Sequence, residues 1–331
     1  MRFAFGSMAT YTLRAAVRLK VIDLIGDRRR PYSEVAADAG TDPRTTNRLL
    51  RALTSLGLLT EHTPGTFSVT STGALLDSRH PHSLAHFMQA FTEPSMMRGW
   101  EKLDDSVRTG ETAFDALFGT DFFSYLSRHP EQSRDFNAAM SQATAATAAA
   151  LPHAYDFGRY TSITDVGGGN GTLLARILDA HPGLTGTVYD SADGLAEAPR
   201  TLEQHKLTDR CSLITGDFFR SVPEGSQLYL MKSILHDWPD DRAVTILTRC
   251  REVLPPGGRV LIVEPVLPEV ADTAAGGPYL SDLNMLVNVG GLERTRQDFE
   301  ELCLRAGLTV ASVTALPKAP PFSVIEATAA R

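Results

Sequence analysis

The stretch Ser162-Ile163-Thr164-Asp165-Val166-Gly167-Gly168-Gly169-Asn170-Gly171-Thr172 decides how the rest of the chain is read. Ser162–Val166 has strand character, and apolar residues recur at helical spacing from Thr172 to Ala180. A glycine turn lies between them. Glycine permits a sharp reversal and lets a ligand come close to the backbone at the carboxyl edge of a sheet. The dinucleotide spacing G-x-G-x-x-G is broken, because Thr172 stands where its third glycine belongs.

Downstream, strand and helix patterns alternate. Gly186–Tyr189, Cys211–Ile214, Gln227–Met231 and Arg259–Val263 read as further strands with helices between them. Asp298–Ala306 reads as a helix before two last strands, Leu308–Thr314 and Phe322–Ala327. This alternation specifies an α/β fold, a doubly wound Rossmann-like sheet closed by a C-terminal hairpin. The strand ends carry polar residues in series. Asp190 ends the second strand, where a carboxylate can accept both hydroxyls of a ribose; Asp217 and Phe218 follow the third, suited to an adenine amino group and an adenine face. One loop acid is ordinary, but two after successive strands, beside a glycine turn, describe a nucleoside site without a pyrophosphate cradle.

Upstream the pattern is helical. Apolar residues recur from Leu13 to Ile25, a short helix Ser33–Ala39 stops at Gly40, and Asp42-Pro43 opens another that carries Leu49, Leu50, Leu53 and Leu56 on one stripe. Leu58–Glu61 and Phe67–Thr70, joined across Pro64-Gly65, read as a hairpin. Three helices and a hairpin make a winged helix over residues 1–80. Residues 81–150 read as a helical, apolar region that could cap a substrate, ending in the uncharged segment Asn137–Ala150, and residues 151–331 hold the sheet.

The net charge of −7 is unevenly spread: residues 1–80 carry 11 Lys and Arg against 7 Asp and Glu, the remainder 21 against 32. A winged helix bearing Arg44, Arg48 and Arg51 admits a ligand-sensing, DNA-binding regulator as an alternative. The excess is small beside typical nucleic-acid surfaces, and a solvated helix face accounts for it, so no nucleic-acid partner is expected. No apolar run approaches the ~20 residues that span a bilayer. Arg14, Arg18 and Lys20 interrupt the start of the chain, and a cytoplasmic enzyme is expected. Cys211, Cys250 and Cys303 lack ligand spacing and read as reduced thiols.

The fourth strand leads into Lys232-Ser233-Ile234-Leu235-His236-Asp237-Trp238-Pro239-Asp240-Asp241. His236 with Asp237, Asp240 and Asp241 can be read as a hard-metal site. Trp238-Pro239 breaks that run, however, and Asp240-Asp241 are expected to precede and cap a helix Arg242–Leu254. No metal is therefore expected.

Asp165–Gly171, Gly216-Asp217-Phe218-Phe219, Leu235-His236-Asp237-Trp238, Glu264-Pro265 and Gly290-Gly291-Leu292-Glu293-Arg294-Thr295 occur in the order and spacing of one family. Over nearly its whole length the chain resembles the plant caffeate-type O-methyltransferases and the bacterial relatives that modify aromatic secondary metabolites. The resemblance implies methyl transfer from S-adenosyl-L-methionine to a hydroxyl, a phenolic one first of all. Transfer to nitrogen or carbon, or a diverged use of the cofactor, stands as the alternative within the fold. It also implies that the N-terminal region serves dimerisation, and thus a homodimer. By the same resemblance Gly167, Asp190, Asp217, Phe218 and Lys232 match cofactor contacts, His236 matches the base, and Glu264 and Glu293 match the acids beside it. Met140 matches a methionine near the reacting methyl, and Asp237, Met285 and Asn288 fall among the substrate contacts. Where the family often has Asn-Pro, this chain has Asn288-Val289.

The chemistry agrees with these roles. A sulfonium is an excellent leaving group, so the enzyme must supply a deprotonated nucleophile aligned behind the methyl. A phenol has a pKa near ~10 and a free imidazole ~6.5. A carboxylate that fixes the tautomer and raises the basicity of the ring narrows that gap.

Overall fold

The computed structural model describes residues 3–273 and 276–330. They fall into two units, Met1–Met97 with Glu131–Ala143 and Arg98–Pro130 with Thr144–Arg331. The helical stretch 81–150 is thus shared between the units, and the helix Pro130–Ala154 supplies residues to both.

In the first unit the helix Pro43–Ser55 starts where its sequence says it should. Asp42 accepts the Thr45 N–H at 2.8 Å, and Pro43 occupies the first turn, where no donor is lost. Leu50 and Leu53 are buried with Ile22, Ile25, Val35 and Phe67. Leu56 is not on that buried stripe; it ends the helix 42% exposed. The single helix expected up to Ile25 is two, Gly6–Arg18 and Val21–Ile25, because Lys20 turns left-handed at φ 51°. No glycine marks that break, so its sequence pattern reads as continuous. Strands β1 (Arg30–Pro31), β2 (Leu59–Thr63) and β3 (Thr66–Val69) form an antiparallel sheet in the order β1-β3-β2. With two residues, β1 is too short to leave a period.

The second unit holds β4 (Ser162–Val166), β5 (Thr185–Asp190), β6 (Cys211–Thr215), β7 (Leu228–Lys232), β8 (Arg259–Leu267), β9 (Arg294–Thr295), β10 (Leu308–Ala315) and β11 (Phe322–Ala329). The order is β10-β11-β8-β7-β4-β5-β6, with β9 alongside the end of β8. The pairs among β4 to β8 are parallel, and β11 is antiparallel to both β8 and β10. Side chains alternate between two cores. Ile163, Leu228, Leu230, Leu261 and Val263 enter one; Val166, Tyr229, Met231, Val260 and Ile262 enter the other. A sheet buried on both faces is the doubly wound Rossmann-like arrangement. The strand order reverses between β4 and β7, so the loops that follow them open a crevice at their carboxyl ends.

Two departures bear on that crevice. β8 runs on past Val263 to Leu267, and Val266 pairs with Arg294 of the unexpected strand β9. The helix after His236 begins at Asp240, so Asp240 and Asp241 lie inside its first turn and neither side chain caps it. There they still face the positive end of the helix dipole.

Candidate active site

His236 sits on a single tight turn, Leu235–Asp237, directly after β7. Nδ1 lies 3.0 Å from Oε1 of Glu293 and 3.7 Å from Oε2 of Glu264; Nε2 lies 3.5 Å from Oδ1 of Asp237. The imidazole is 15% exposed, while Glu264 and Glu293 are closed off. With Nδ1–H donated to Glu293, Nε2 is left as the basic atom.

The two glutamates differ in what they hold. Oε1 of Glu264 accepts the backbone N–H groups of Ile234 and Leu235, both at 2.9 Å, so it fixes the entry to the catalytic turn. Oε1 of Glu293 accepts from the Ser281 hydroxyl at 2.7 Å as well as from the ring, and its own N–H is held by Asp282. Among the described residues, Oε2 of each glutamate is buried without a hydrogen bond.

Burial, which lowers an imidazole's pKa, is the strongest single influence on His236. The carboxylates of Glu264, Asp237 and Glu293 together outweigh it and raise the pKa to about 10. Burial raises Asp237 to about 7 despite His236 beside it, and burial likewise raises Glu264. In the ligand-free protein the imidazole therefore holds a proton at neutral pH.

The glycine turn borders this cluster. Gly167 has φ +73°, and a Cβ there would collide with Ile234 and lie 3.7 Å from the Phe218 ring. Only glycine fits at that place. Gly169 has open space where its Cβ would be. Asp190 accepts from the Gly169 N–H at 2.8 Å and from Ser191, its N–H at 2.6 Å and its side chain, and the two oxygens together keep acceptor capacity to spare. An acid on the loop beside an open glycine backbone fits a nucleoside. Asp217 spends Oδ1 on the Phe219 N–H at 2.9 Å and is half exposed. Lys232, at the end of β7, reaches Oγ1 of Thr144 at 3.3 Å and lies over the Phe322 ring; burial brings it down to about 8.

The structure brings His236, Asp237, Glu264 and Glu293 together, and Gly167, Phe218 and Asp190 around one loop. Met285 and Asn288 are buried on the helix Gly276–Asn288, where Asn288 donates to Asn284 at 2.9 Å, and Trp100 donates to the same Asn284 oxygen at 3.0 Å. Met140 belongs to the other unit. Asp240 and Asp241, the acids of the alternative hard-metal reading, are engaged by Arg294 and Arg305. The ligand atoms of His236, Glu264 and Glu293 do lie within 4.8 Å of one another, but Oε1 of both acids is already committed.

The sequence reading missed Arg294, Ser281, Asp282 and Asp165 as members of the site. Asp165 is 2% exposed, and burial followed by the Asp190 charge raises it to about 7. Two of them left a trace in the sequence: Asp165 opens the glycine motif, and Arg294 directly follows an acid of the last motif, on a residue pair too short to be recognised as a strand.

Residues 100–309 match the model of an O-methyltransferase domain, and residues 1–78 match that of an O-methyltransferase dimerisation domain. An O-demethylpuromycin O-methyltransferase from Streptomyces alboniger is 44% identical over 99% of this chain and 88% of its own. A phenazine O-methyltransferase from Lysobacter antibioticus is 38% identical over 97% of this chain and 93% of its own. The crystal structure of an O-methyltransferase from neocarzinostatin biosynthesis, in complex with S-adenosylmethionine and 2-hydroxy-5-methyl naphthoic acid, superposes with a TM-score of 0.84 at 33% identity, covering 98% of each chain. Among the described residues no helix is long and apolar enough to cross a membrane.

Proposed function

This chain belongs to the S-adenosylmethionine-dependent O-methyltransferase family, and we propose that its acceptor is a phenolic hydroxyl on a small aromatic secondary metabolite, deprotonated by His236. The observation that carries this reading is the 3.0 Å contact of His236 Nδ1 with Glu293, which leaves Nε2 free to take a proton. When bound, S-adenosylmethionine supplies an electrophilic methyl and a positive charge on sulfur. Gly167, Gly169, Asp190, Asp217, Phe218 and Lys232 line the loops that would hold it.

His236 carries a proton in the ligand-free protein, and a cation brought near would promote its loss. The neutral ring then accepts the hydroxyl proton at Nε2, while Glu293 holds the imidazolium that forms. Glu264 keeps the turn in place through Ile234 and Leu235. The carboxylates around the ring keep it more basic than a free imidazole, which narrows the gap to a phenol near ~10. Trp238, two residues after His236, is fixed by Phe123 at 5.2 Å and Phe219 at 4.8 Å between ring centroids and by the Arg242 guanidinium over its ring. The related complex holds 2-hydroxy-5-methyl naphthoic acid, a flat hydroxylated ring of the class proposed here. Met140, Asp237, Met285 and Asn288 remain the proposed substrate contacts. Residues 1–80 would serve dimerisation, residues 81–150 would cap the substrate, and residues 151–331 would hold the cofactor and the chemistry.

Incubation with methyl-labelled S-adenosylmethionine and a panel of phenols, naphthols and matching anilines tests the reading. Label on oxygen of a hydroxylated ring supports it. Transfer confined to the anilines would overturn it.

A further inference from the structure

We propose that Arg294 is the positioning residue of the catalytic turn, holding His236 at the geometry in which it works. This rests on the reading of His236 as the base. Arg294 is 1% exposed, and its side chain is closed off from solvent. A buried guanidinium is costly unless its donors are used, and here, apart from a long contact of Nη1 to the Leu292 carbonyl at 3.5 Å, they go to the turn and to the start of the helix after it. Nη1 donates to the Leu235 carbonyl and Nη2 to the Trp238 carbonyl, both at 2.8 Å. Nε and Nη2 grip Oδ1 of Asp240 at 3.1 and 2.8 Å. Leu235 and Trp238 bracket His236 in sequence, so one rigid, planar fork clamps both ends of the turn that carries the base.

The neighbours of Arg294 act on the same turn. The Leu292 N–H donates to the His236 carbonyl at 2.9 Å, and Glu293 holds Nδ1. A Cβ at Gly291 would collide with the His236 carbonyl, so that residue lies flush on the turn. Arg294 also pairs with Val266 two residues beyond Glu264, which ties the strand carrying Glu264 to the segment carrying Glu293. Four consecutive residues thus address His236 from its backbone, its ring and both flanks.

The test compares two acceptors: an ordinary phenol, which needs the base, and a nitro-substituted phenol already ionised at the assay pH, which does not. Arg294→Ala and Arg294→Lys should lose roughly 10- to 100-fold in kcat with the ordinary phenol, less than the ~10²–10⁴ expected on losing the base itself. S-adenosylmethionine affinity should be unchanged, and the loss should nearly vanish with the ionised acceptor. Millimolar guanidinium, but not urea, should restore part of the Arg294→Ala rate. Should that variant not fold, Asp240→Asn loosens the clamp from a half-exposed position and should show a smaller loss with the same dependence on acceptor. Equal losses on both acceptors, or none on either, would overturn the proposal. If His236→Ala keeps its rate on the ordinary phenol, it is the reading of the base that fails.

Discussion

Oε1 of Glu293 meets Nδ1 of His236 at 3.0 Å while accepting the Ser281 hydroxyl at 2.7 Å. The carboxylate is held by a second donor and cannot swing away, so the ring has one tautomer and one orientation. His236→Ala should lower kcat by roughly 10²–10⁴, the usual worth of a positioned general base, with affinity for the uncharged product S-adenosylhomocysteine nearly untouched. Glu293→Gln should cost less, because the base remains and only its orientation and charge partner suffer. Single-turnover rates alongside calorimetric S-adenosylhomocysteine affinities separate these outcomes. A His236 variant that turned over normally at neutral pH would remove it from the chemistry.

Asp190 is held by the Gly169 and Ser191 N–H groups at the edge of the glycine loop. Asp190→Ala should weaken S-adenosylmethionine binding by roughly 1.5–3 kcal/mol, the scale of hydrogen bonds to a charged group. Isothermal titration measures it directly. Unchanged affinity would place the ribose elsewhere.

The sheet could be read in advance because strand and helix patterns alternate between turn signals, and because β7 and β8 leave the unbroken apolar runs Leu228–Met231 and Val260–Val263. His236 and its glutamates were legible only as a pattern of segments. Their convergence depends on Val266 meeting Arg294, a pairing two residues long that no local period encodes. Arg294 shows the limit most plainly: a surface arginine and a buried one are spelled alike, and the carbonyls that take its donors come from a different segment. The break at Lys20 was hidden for a related reason, since a left-handed lysine looks like any helical lysine.

Within the first unit, Phe5, Met8 and Tyr11 are 54, 60 and 46% exposed, and Met8 and Tyr11 stand three apart on the helix Gly6–Arg18. Large apolar side chains on one helix face in a dimerisation domain should be covered by a second copy. Sedimentation should find a dimer at micromolar concentration, and Met8→Asp with Tyr11→Asp should shift it towards monomer. A monomeric wild type would contradict this.

Asp240 and Asp241 are bound to arginines, and Oε1 of Glu264 is bound to two amides. Among the described residues Oε2 of Glu264 and of Glu293 is uncommitted beside His236, so dialysis against EDTA decides whether that cluster needs a metal, and turnover should survive it. Loss of activity restored by Mg²⁺ alone would show that His236, Glu264 and Glu293 act as ligands.

The proton on His236 makes the last prediction. Its pKa of about 10 in the ligand-free protein means that S-adenosylmethionine, whose sulfonium is a cation, meets a second positive charge when it binds at neutral pH. The bound state should hold that proton less tightly, so affinity should rise with pH and level off once His236 is neutral in the free protein, near 10. S-adenosylhomocysteine lacks the sulfonium charge and should follow a flatter curve. The gap between the two curves isolates the charge, because the rest of the ligand is shared. Asp237, raised to about 7 by burial, couples to the same cation with the same sign at lower pH. His236→Asn resolves the two: it should erase the imidazolium's part of the gap and move the Asp237 part upward from 7, because the charge that held Asp237 down is gone. Calorimetry in buffers of different ionisation enthalpy should also register proton release for the methyl donor alone. Parallel pH curves for the two ligands would mean that the sulfonium binds out of reach of His236, and the base assignment would lose its electrostatic support.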